Sequence, residues 1–383
     1  MNDESQMSDN REQLERGEAN LAADPGNRHL LAMVIDLSLA CGESDRAERH
    51  VRTAQLAHPQ DVYLLARGGD LHLARRQWPE AAAIFQDLLA RQADVNLAYN
   101  LAYALQAQGR HADAWAAMEP YREAPELAPA IVTLMVRVLH HLGRNEEAIA
   151  MVEARLEHCQ SDAGFLAAAS LVCLDGGRLD LAERLGGAAL AREDAGAPIE
   201  ALVTLGSLAL ARNDGVAARG IFEQVLVRQP LEGRSWSGMG TASLLRRDFV
   251  AAQEQLERAV AYLPEHIGSW HLLGWSRIFN EHLTGAQQAF QQALDLDRNF
   301  GESHGGMAAV LALQGRREEA EAAIELARKL DPNGLSAAYA MMVLSGQTQD
   351  AERFPILVRR LLSTRKNLFG QDLSELLDDH GPN

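Results

Sequence analysis

Lysine is nearly missing from this 383-residue chain, which has it only at Lys329 and Lys366. The positive charge therefore comes from arginine, and 53 acidic residues against 36 basic ones give a formal net charge of −17. The sequence has no basic stripe of the kind that binds phosphate groups through counterion release, so we expect no nucleic-acid partner. Because arginine in place of lysine is typical of GC-rich bacterial genomes, we expect a bacterial protein.

Cysteines and long apolar runs are also scarce. The three cysteines, Cys41, Cys159 and Cys173, form no C-x-x-C pair, which predicts reduced structural thiols. The longest apolar runs, such as residues 201–211, are shorter than the ~18 residues of a membrane span. Residues 1–17 lack the apolar core of a secretory signal. We therefore expect a soluble, cytoplasmic protein without membrane insertion.

Catalytic and cofactor-binding motifs are missing as well. The sequence has no Gly-rich phosphate loop, G-x-S-x-G elbow or H-E-x-x-H helix. The side chains of the adjacent pairs His140–His141 and His158–Cys159 would point about 100° apart on a helix, which disfavours a shared metal ion. The sequence thus predicts no enzyme, no cofactor and no metal site.

Small residues recur along the chain at a fixed step of 34. Gly206, Gly240 and Gly274 are followed by Ala308 at this step. The same step relates further small residues, bulky apolar residues and, with a gap at residue 298, prolines: Ala218, Ala252, Ala286 and Ala320; Phe222, Leu256, Phe290 and Ile324; Pro230, Pro264 and Pro332. A fixed period near 34 residues with these positions is typical of stacked helix-turn-helix units.

On these residues the chain resembles the tetratricopeptide repeat family. The unit from residue 267 matches the W-x2-L-G and A-x3-F positions of that family with Trp270, Leu273, Gly274, Ala286 and Phe290. We expect about ten units, the last of them degenerate, starting near residues 28, 62, 95, 129, 163, 199, 233, 267, 301 and 335. The resemblance implies an all-α fold, a right-handed superhelical α-solenoid of stacked helix-turn-helix units whose concave groove binds other proteins.

The repeat pattern is irregular in its middle. The step from Ala182 to Ala218 is 36, and residues 193–198 have the composition of a turn-rich connection, which either flexes or is a rigid insertion. The expected divisions are a disordered acidic tail at residues 1–20, sub-solenoids at 21–195 and 196–366, and an acidic amphipathic tail or cap at 367–383. The last segment either caps the final unit or docks in the groove in place of a partner.

The resemblance also implies which residues line the groove. In this family the first helix of each unit faces the groove through its second, fifth, ninth and twelfth positions. Leucines prevail at the twelfth position, where packing against the next helix explains them equally well. Tyrosine and tryptophan are favoured at binding surfaces because they contribute a large contact area with little rotamer entropy. The candidate binding residues are Tyr63, Asn96, Tyr99, Asn100, Tyr103, Arg137, His140, Arg234, His271 and Trp275.

These features predict a non-enzymatic interaction scaffold that binds a helical or extended segment of another protein. A more specific form is a bacterial chaperone or adaptor for an exported or assembly-bound protein, because an apolar groove would shield such a segment and an acidic exterior would keep the complex soluble. The alternative is an accessory subunit of an enzyme complex, such as a glycosyltransferase, polysaccharide or pilus assembly machine. The sequence indicates neither the partner nor the oligomeric state.

Overall fold

The computed structural model describes residues 2–192, 196–363, 365–367 and 369–377. In these ranges the regular structure is helical, apart from one isolated bridge between Lys366 and Asp372. The α-helices are α1 Asn2–Ala23, α2 Arg28–Ala40, α3 Ser44–Ala57, α4 Val62–Ala74, α5 Trp78–Arg91, α6 Val95–Gln106, α7 His111–Met118, α8 Pro129–His141, α9 Asn145–Cys159, α10 Ala163–Asp175, α11 Leu179–Leu190, α12 Ile199–Ala211, α13 Gly215–Arg228, α14 Gly233–Leu245, α15 Phe249–Tyr262, α16 Ile267–Phe279, α17 Leu283–Leu296, α18 Gly301–Leu313, α19 Arg317–Leu330, α20 Leu335–Leu344 and α21 Arg353–Leu362.

From α2 onwards the helices alternate as first and second members of helical hairpins. Each expected unit start coincides with the start of a first helix, at Arg28, Val62, Val95, Pro129, Ala163, Ile199, Gly233, Ile267, Gly301 and Leu335. The last unit departs from the rest, because α20 has only ten residues and is followed by a 3-10 turn and α21. The predicted register and the predicted all-α solenoid of stacked helix-turn-helix units are confirmed.

Short acidic or amide side chains fix where many of these helices begin. The Asp61 and Asp94 carboxylates accept hydrogen bonds from the first free N–H groups of α4 and α6, as Asn27 does for α2. Asp214 and Asp248 do the same at second helices. Such side chains satisfy N–H groups that have no partner inside the helix, so they set the phase of the hairpins.

The ladder of small residues makes room for buried aromatic rings. Phe222 of α13 lies between two glycines, because a Cβ atom at either Gly206 or Gly238 would come closer than 3.0 Å to its ring. Phe290 lies against Gly274 in the same way, with 2.6 Å between its Cε1 atom and an added Cβ. Both rings are almost completely buried. The repeating small residues therefore set the distance between the two helices of a hairpin.

The acidic N-terminal segment is a helix, whereas its composition predicts a disordered tail at residues 1–20. Leu14 and Leu21 of α1 are buried in the cluster formed with α2. Glu18 accepts a hydrogen bond from Arg46 of α3 at 2.7 Å, and this bond is the main reason that the pKa of Glu18 falls to about 2. The two leucines lie seven residues apart on one face, so docking on α2 orders a segment whose exposed face is polar.

The C-terminal segment forms a turn and a 3-10 helix, whereas its alternating leucines and acids predict an amphipathic tail or cap. The 3-10 helix spans Leu373–Leu377. Leu368, the side chain of Leu376 and residues 378–383, on which part of that pattern falls, lie outside the described residues.

Internal contacts divide the chain into two units, Met1–Gly177 and Arg178–Asn383. We call them the N-terminal unit and the C-terminal unit. Seven of the ten candidate binding residues belong to the first and three to the second. The predicted connection at residues 193–198 falls partly on residues 193–195, which lie outside the described residues, and it stays a prediction.

Candidate partner-binding faces

Exposed tyrosines lie on first helices of the N-terminal unit. Tyr63 of α4 is 52% exposed and Tyr103 of α6 is 43% exposed. Tyr99 stacks on Tyr103 with 6.4 Å between the ring centroids, and Trp78 meets Tyr103 edge-on at 6.1 Å. Burial raises the pKa of the Tyr99 hydroxyl above its usual value, so it stays a neutral donor and acceptor. The aromatic side chains thus form an amphipathic surface whose rings support one another.

A buried arginine, paired with an exposed aspartate, supports the Tyr63 ring. The Arg67 side chain belongs to a residue that is only 7% exposed, and its Cζ atom lies 3.9 Å from the centre of the Tyr63 ring. Its Nη2 atom donates to Asp36 Oδ2 at 2.6 Å, and its Nη1 atom donates to the Tyr63 carbonyl at 2.9 Å. Burial, the largest single effect, lowers the pKa of Arg67, but the hydrogen bonds and charges of Asp36 and Tyr63 together outweigh it, so the net shift is upward. A permanent cation therefore faces the ring.

A second polar link joins α4 to α6. Asn100 Nδ2 donates a hydrogen bond to Asp70 Oδ1 at 3.0 Å. Burial raises the pKa of Asp70 to about 6, although the positive charge of Arg67 acts to lower it. The predicted residue Asn100 is thus engaged inside the protein, whereas Asn96 is exposed. Asp36 and Asp70 are not among the predicted binding residues, although both stand at the ninth position of their first helices, 34 residues apart, and this spacing could have indicated them.

Arg137 and His140 lie on α8, the next first helix. Arg137 is partly buried, and its charge acts on the Tyr99 hydroxyl. His140 Nε2 lies 2.7 Å from Asp175 Oδ2 at the end of α10, and only 14% of the His140 side chain is exposed. The histidine therefore ties two first helices together, while Arg137 extends the tyrosine surface towards α8.

In the C-terminal unit, His271 and Trp275 form a second candidate surface on α16. Trp275 Nε1 donates to His271 Nε2 at 3.2 Å, and the histidine ring meets Phe290 and Phe300 edge-on at 5.5 and 5.6 Å. Burial lowers the pKa of His271 to about 4, which keeps the ring neutral and able to accept the indole proton. Trp275 also meets Tyr339 of α20 at 5.4 Å.

The third candidate in this unit, Arg234, lies near the start of α14. Its side chain is partly exposed, and its backbone N–H donates to the capping Glu232 carboxylate at 3.2 Å. On α16 the aromatic surface extends from Trp275 to Phe279, whose ring is 5.8 Å away and 45% exposed. Each unit thus carries its own aromatic and basic side chains on first helices.

Two segments of the chain, residues 66–130 and 280–344, match the tetratricopeptide repeat. They lie in different units, and each includes one complete hairpin in the register described above, α6–α7 and α18–α19. The chain thus contains tetratricopeptide repeats in both units.

Solved structures agree with this tetratricopeptide repeat fold. The chain is similar to the APC/C hetero-tetramer Cut9-Hcn1, with a TM-score of 0.59 at 13% identity over 84% of this chain and 63% of that chain. It is also similar to a monomeric mutant of IFIT1 with Gppp-AAAA, with a TM-score of 0.55 at 13% identity over 88% of this chain and 85% of that chain. Identities this low show the fold alone. No curated protein sequence matches this chain.

The described residues of the tetratricopeptide repeat chain bear on two properties, metal binding and membrane crossing. Across the described ranges, no group of three or more His, Cys, Asp or Glu side chains could hold a metal ion. In the same ranges, no helix is long and apolar enough to cross a membrane. Cys41, Cys159 and Cys173 are buried and form no disulfide bond. What the first helices offer is aromatic area, amide and hydroxyl groups, and fixed charge.

Proposed function

We propose that this protein is a non-enzymatic scaffold whose first-helix faces bind a helical or extended segment of a partner protein. The tetratricopeptide repeat fold is that of a protein–protein interaction scaffold in general. The observation that carries the proposal is the group of tyrosines on α4 and α6, in which the exposed Tyr63 ring lies against the buried Arg67 and the exposed Tyr103 ring stacks on Tyr99.

Preorganisation is what makes these tyrosines suited to binding. Arg67 cannot leave the Tyr63 ring without breaking its bond to Asp36. The Tyr99 and Tyr103 rings stack on each other, and Trp78 closes one side. A partner therefore meets rings whose rotamers are already restricted, and the entropy cost of ordering them on binding is small.

Net charge favours a protein over a phosphate-rich partner. Of the two structural neighbours, one is the Cut9-Hcn1 assembly and the other holds Gppp-AAAA. A net charge of −17 repels phosphate groups, whereas a protein segment with apolar and basic side chains fits the tyrosines and the exposed Asp36 carboxylate. In the more specific form of the proposal, the protein is a bacterial cytoplasmic chaperone or adaptor that shields an apolar segment.

The test compares copurification by three tagged full-length proteins from the native host. They are the parent, a Tyr99→Ala/Tyr103→Ala variant, and Tyr262→Ala as a matched control. Tyr262 ends the second helix α15 and is 43% exposed, the same as Tyr103. Far-UV circular dichroism first establishes equal helicity.

The proposal expects a partner that is retained by the parent and the control and lost from the double variant. We expect this loss to reappear with purified components as weaker binding by at least about tenfold, the usual effect of removing an aromatic anchor. A partner bound equally by all three proteins would place recognition away from α4 and α6 and would reject the proposal for this face.

A further inference from the structure

The C-terminal segment returns to the first complete repeat of its own unit. The Cζ atom of Arg212, the residue that follows α12, lies 4.5 Å from the centre of the Phe369 ring. Four further repeats begin between these two residues, at α14, α16, α18 and α20. Since α21 ends at Leu362, the chain covers at most about 25 Å before it reaches Phe369. The segment after α20 therefore runs back along the stack of repeats.

Arg212 is held in an orientation that suits an aromatic ring. Its Nη1 and Nη2 atoms donate to the two Glu183 carboxylate oxygens at 2.8 and 2.5 Å. A guanidinium group is planar, so an edge that pairs with a carboxylate leaves the face available for the Phe369 ring. The bond to Glu183 also raises the pKa of Arg212, which keeps the cation charged.

Phe369 is presented by an ordered turn. Asn367 Oδ1 accepts hydrogen bonds from the backbone N–H groups of Phe369 and Gln371 at 2.9 and 3.0 Å. The Asn367 backbone N–H donates to the Gln371 carbonyl at 2.8 Å, and Gly370 takes a φ of +79° that favours glycine. The ring thus stands at the tip of a hydrogen-bonded loop, which reduces the entropy that docking costs.

The same segment has a second anchor on the first helices. Phe354, near the start of α21, lies 6.5 Å from the Tyr339 ring of α20, and Tyr339 meets the candidate residue Trp275 at 5.4 Å. Phe354 and Phe369 therefore hold the two ends of the segment, at α20 and at the end of α12. The first helix α14, with the candidate residue Arg234, lies between these helices in the stack.

We propose that residues 369–377 are an internal ligand of the surface that Arg212 and Glu183 form at the end of α12, and that the partner which displaces them has the same chemistry. That chemistry is an aromatic ring followed by leucines and acidic side chains, here Phe369, Asp372, Leu373, Glu375 and Leu377. The acids are opposite in charge to Arg212. The inference rests on the proposed function, because it takes the protein to bind a segment of a partner protein.

The experiment measures binding of a fluorescent peptide of residues 365–383 to full-length proteins. A Phe369→Ala/Leu373→Ala variant releases the internal segment, so it should bind the unmodified peptide at least about tenfold tighter than the parent, whose surface is filled. Adding Arg212→Ala should abolish this gain. Adding Arg246→Ala instead should leave the gain in affinity unchanged. Arg246 is the matched control, because it stands at the equivalent position one repeat later, after α14.

Equal peptide binding by the parent and the released variant would overturn the proposal, as would a gain that survives Arg212→Ala. Amide hydrogen exchange provides a second readout that needs no released variant. Exchange at Asn367–Leu373 should be faster in full-length Arg212→Ala than in Arg246→Ala, and equal rates would contradict the docking of Phe369. These results do not depend on Tyr99 and Tyr103, so the internal ligand can fail while the proposed function stands.

Discussion

At the scale of single residues, Asp70 is the group whose burial has the clearest consequence. The pKa of this carboxyl is raised to about 6 in the folded protein, mainly by burial. The folded state therefore binds the proton more tightly than the unfolded chain, where an aspartate titrates near pH 4. Stability contributed by protonated Asp70 is present below about pH 4 and is lost as the pH rises towards 6.

We predict that Asp70→Asn stabilises the protein at neutral pH. The amide oxygen can still accept the hydrogen bond from Asn100, while the cost of a buried charge disappears. The difference in unfolding free energy from the parent should be small near pH 4 and grow to about 1–3 kcal/mol above pH 6. Urea unfolding across this range measures it.

Asp87→Asn is the control, because it removes one charge from an exposed position on α5. If the difference between Asp70→Asn and the parent were the same at pH 4 and pH 7, the buried carboxyl would not be the cause.

The sequence indicated the tyrosines of the N-terminal face but not what holds them. Their exposure follows from their positions on first helices. The pairing of Arg67 with Asp36 joins residues 31 positions apart on different helices, and an arginine in an apolar stripe carries no sign of its partner. His140 is predicted to line the groove, but its ring pairs with Asp175 at the end of α10. The repeat pattern predicts which helix face a residue lies on, but it does not predict which side chains pair across helices.

At the scale of the helical hairpin, stability depends on how closely a glycine of the first helix packs against a buried aromatic ring of the second. We predict that Gly274→Ala destabilises the protein by about 1–3 kcal/mol, because the new Cβ atom would lie 2.6 Å from the buried Phe290 ring. Gly220→Ala, on the outside of α13, meets no atom within 4 Å and should stabilise by about 0.5–1 kcal/mol, since alanine favours the helix. Thermal or urea unfolding of both variants measures the contrast.

The two substitutions add the same methyl group to a helix, so only the surroundings differ. A melting curve of Gly274→Ala that matched the parent would contradict the position of Phe290 against Gly274. A destabilised Gly220→Ala would show that helix propensity is not what acts at the exposed site.

The starts of the first helices were predictable to the residue, because the repeat period and the capping residues agree. The existence of α1 was not predictable in this way. Its stability comes from docking Leu14 and Leu21 on α2, and tertiary contacts of this kind do not show in acidic composition. The C-terminal turn was missed for a related reason. Its form depends on Asn367 bonding to the backbone and on the contact of Phe369 with a distant Arg212.

At the scale of the whole molecule, the open question is where the solenoid is weakest. The internal contacts divide the chain after Gly177, whereas the stretched repeat step places a turn-rich connection at residues 193–198. We propose that the connection at residues 193–198, and not the division after Gly177, is the flexible one between sub-solenoids at 21–195 and 196–366. Gly196, with a φ of +62°, and Pro198, which precedes α12, fit a linker better than a helix.

Limited trypsin digestion tests this with arginines in three turns of the chain. We predict first cleavage after Arg192, because a flexible backbone enters a protease site more readily than a tight turn. Arg247 is the matched control, an exposed arginine in the two-helix turn after α14. Arg178, at the division between the two contact units, tests the competing position. Initial fragments that end at Arg178 would move the flexible connection to that division, and simultaneous cleavage at Arg192 and Arg247 would show that residues 193–198 form a rigid insertion.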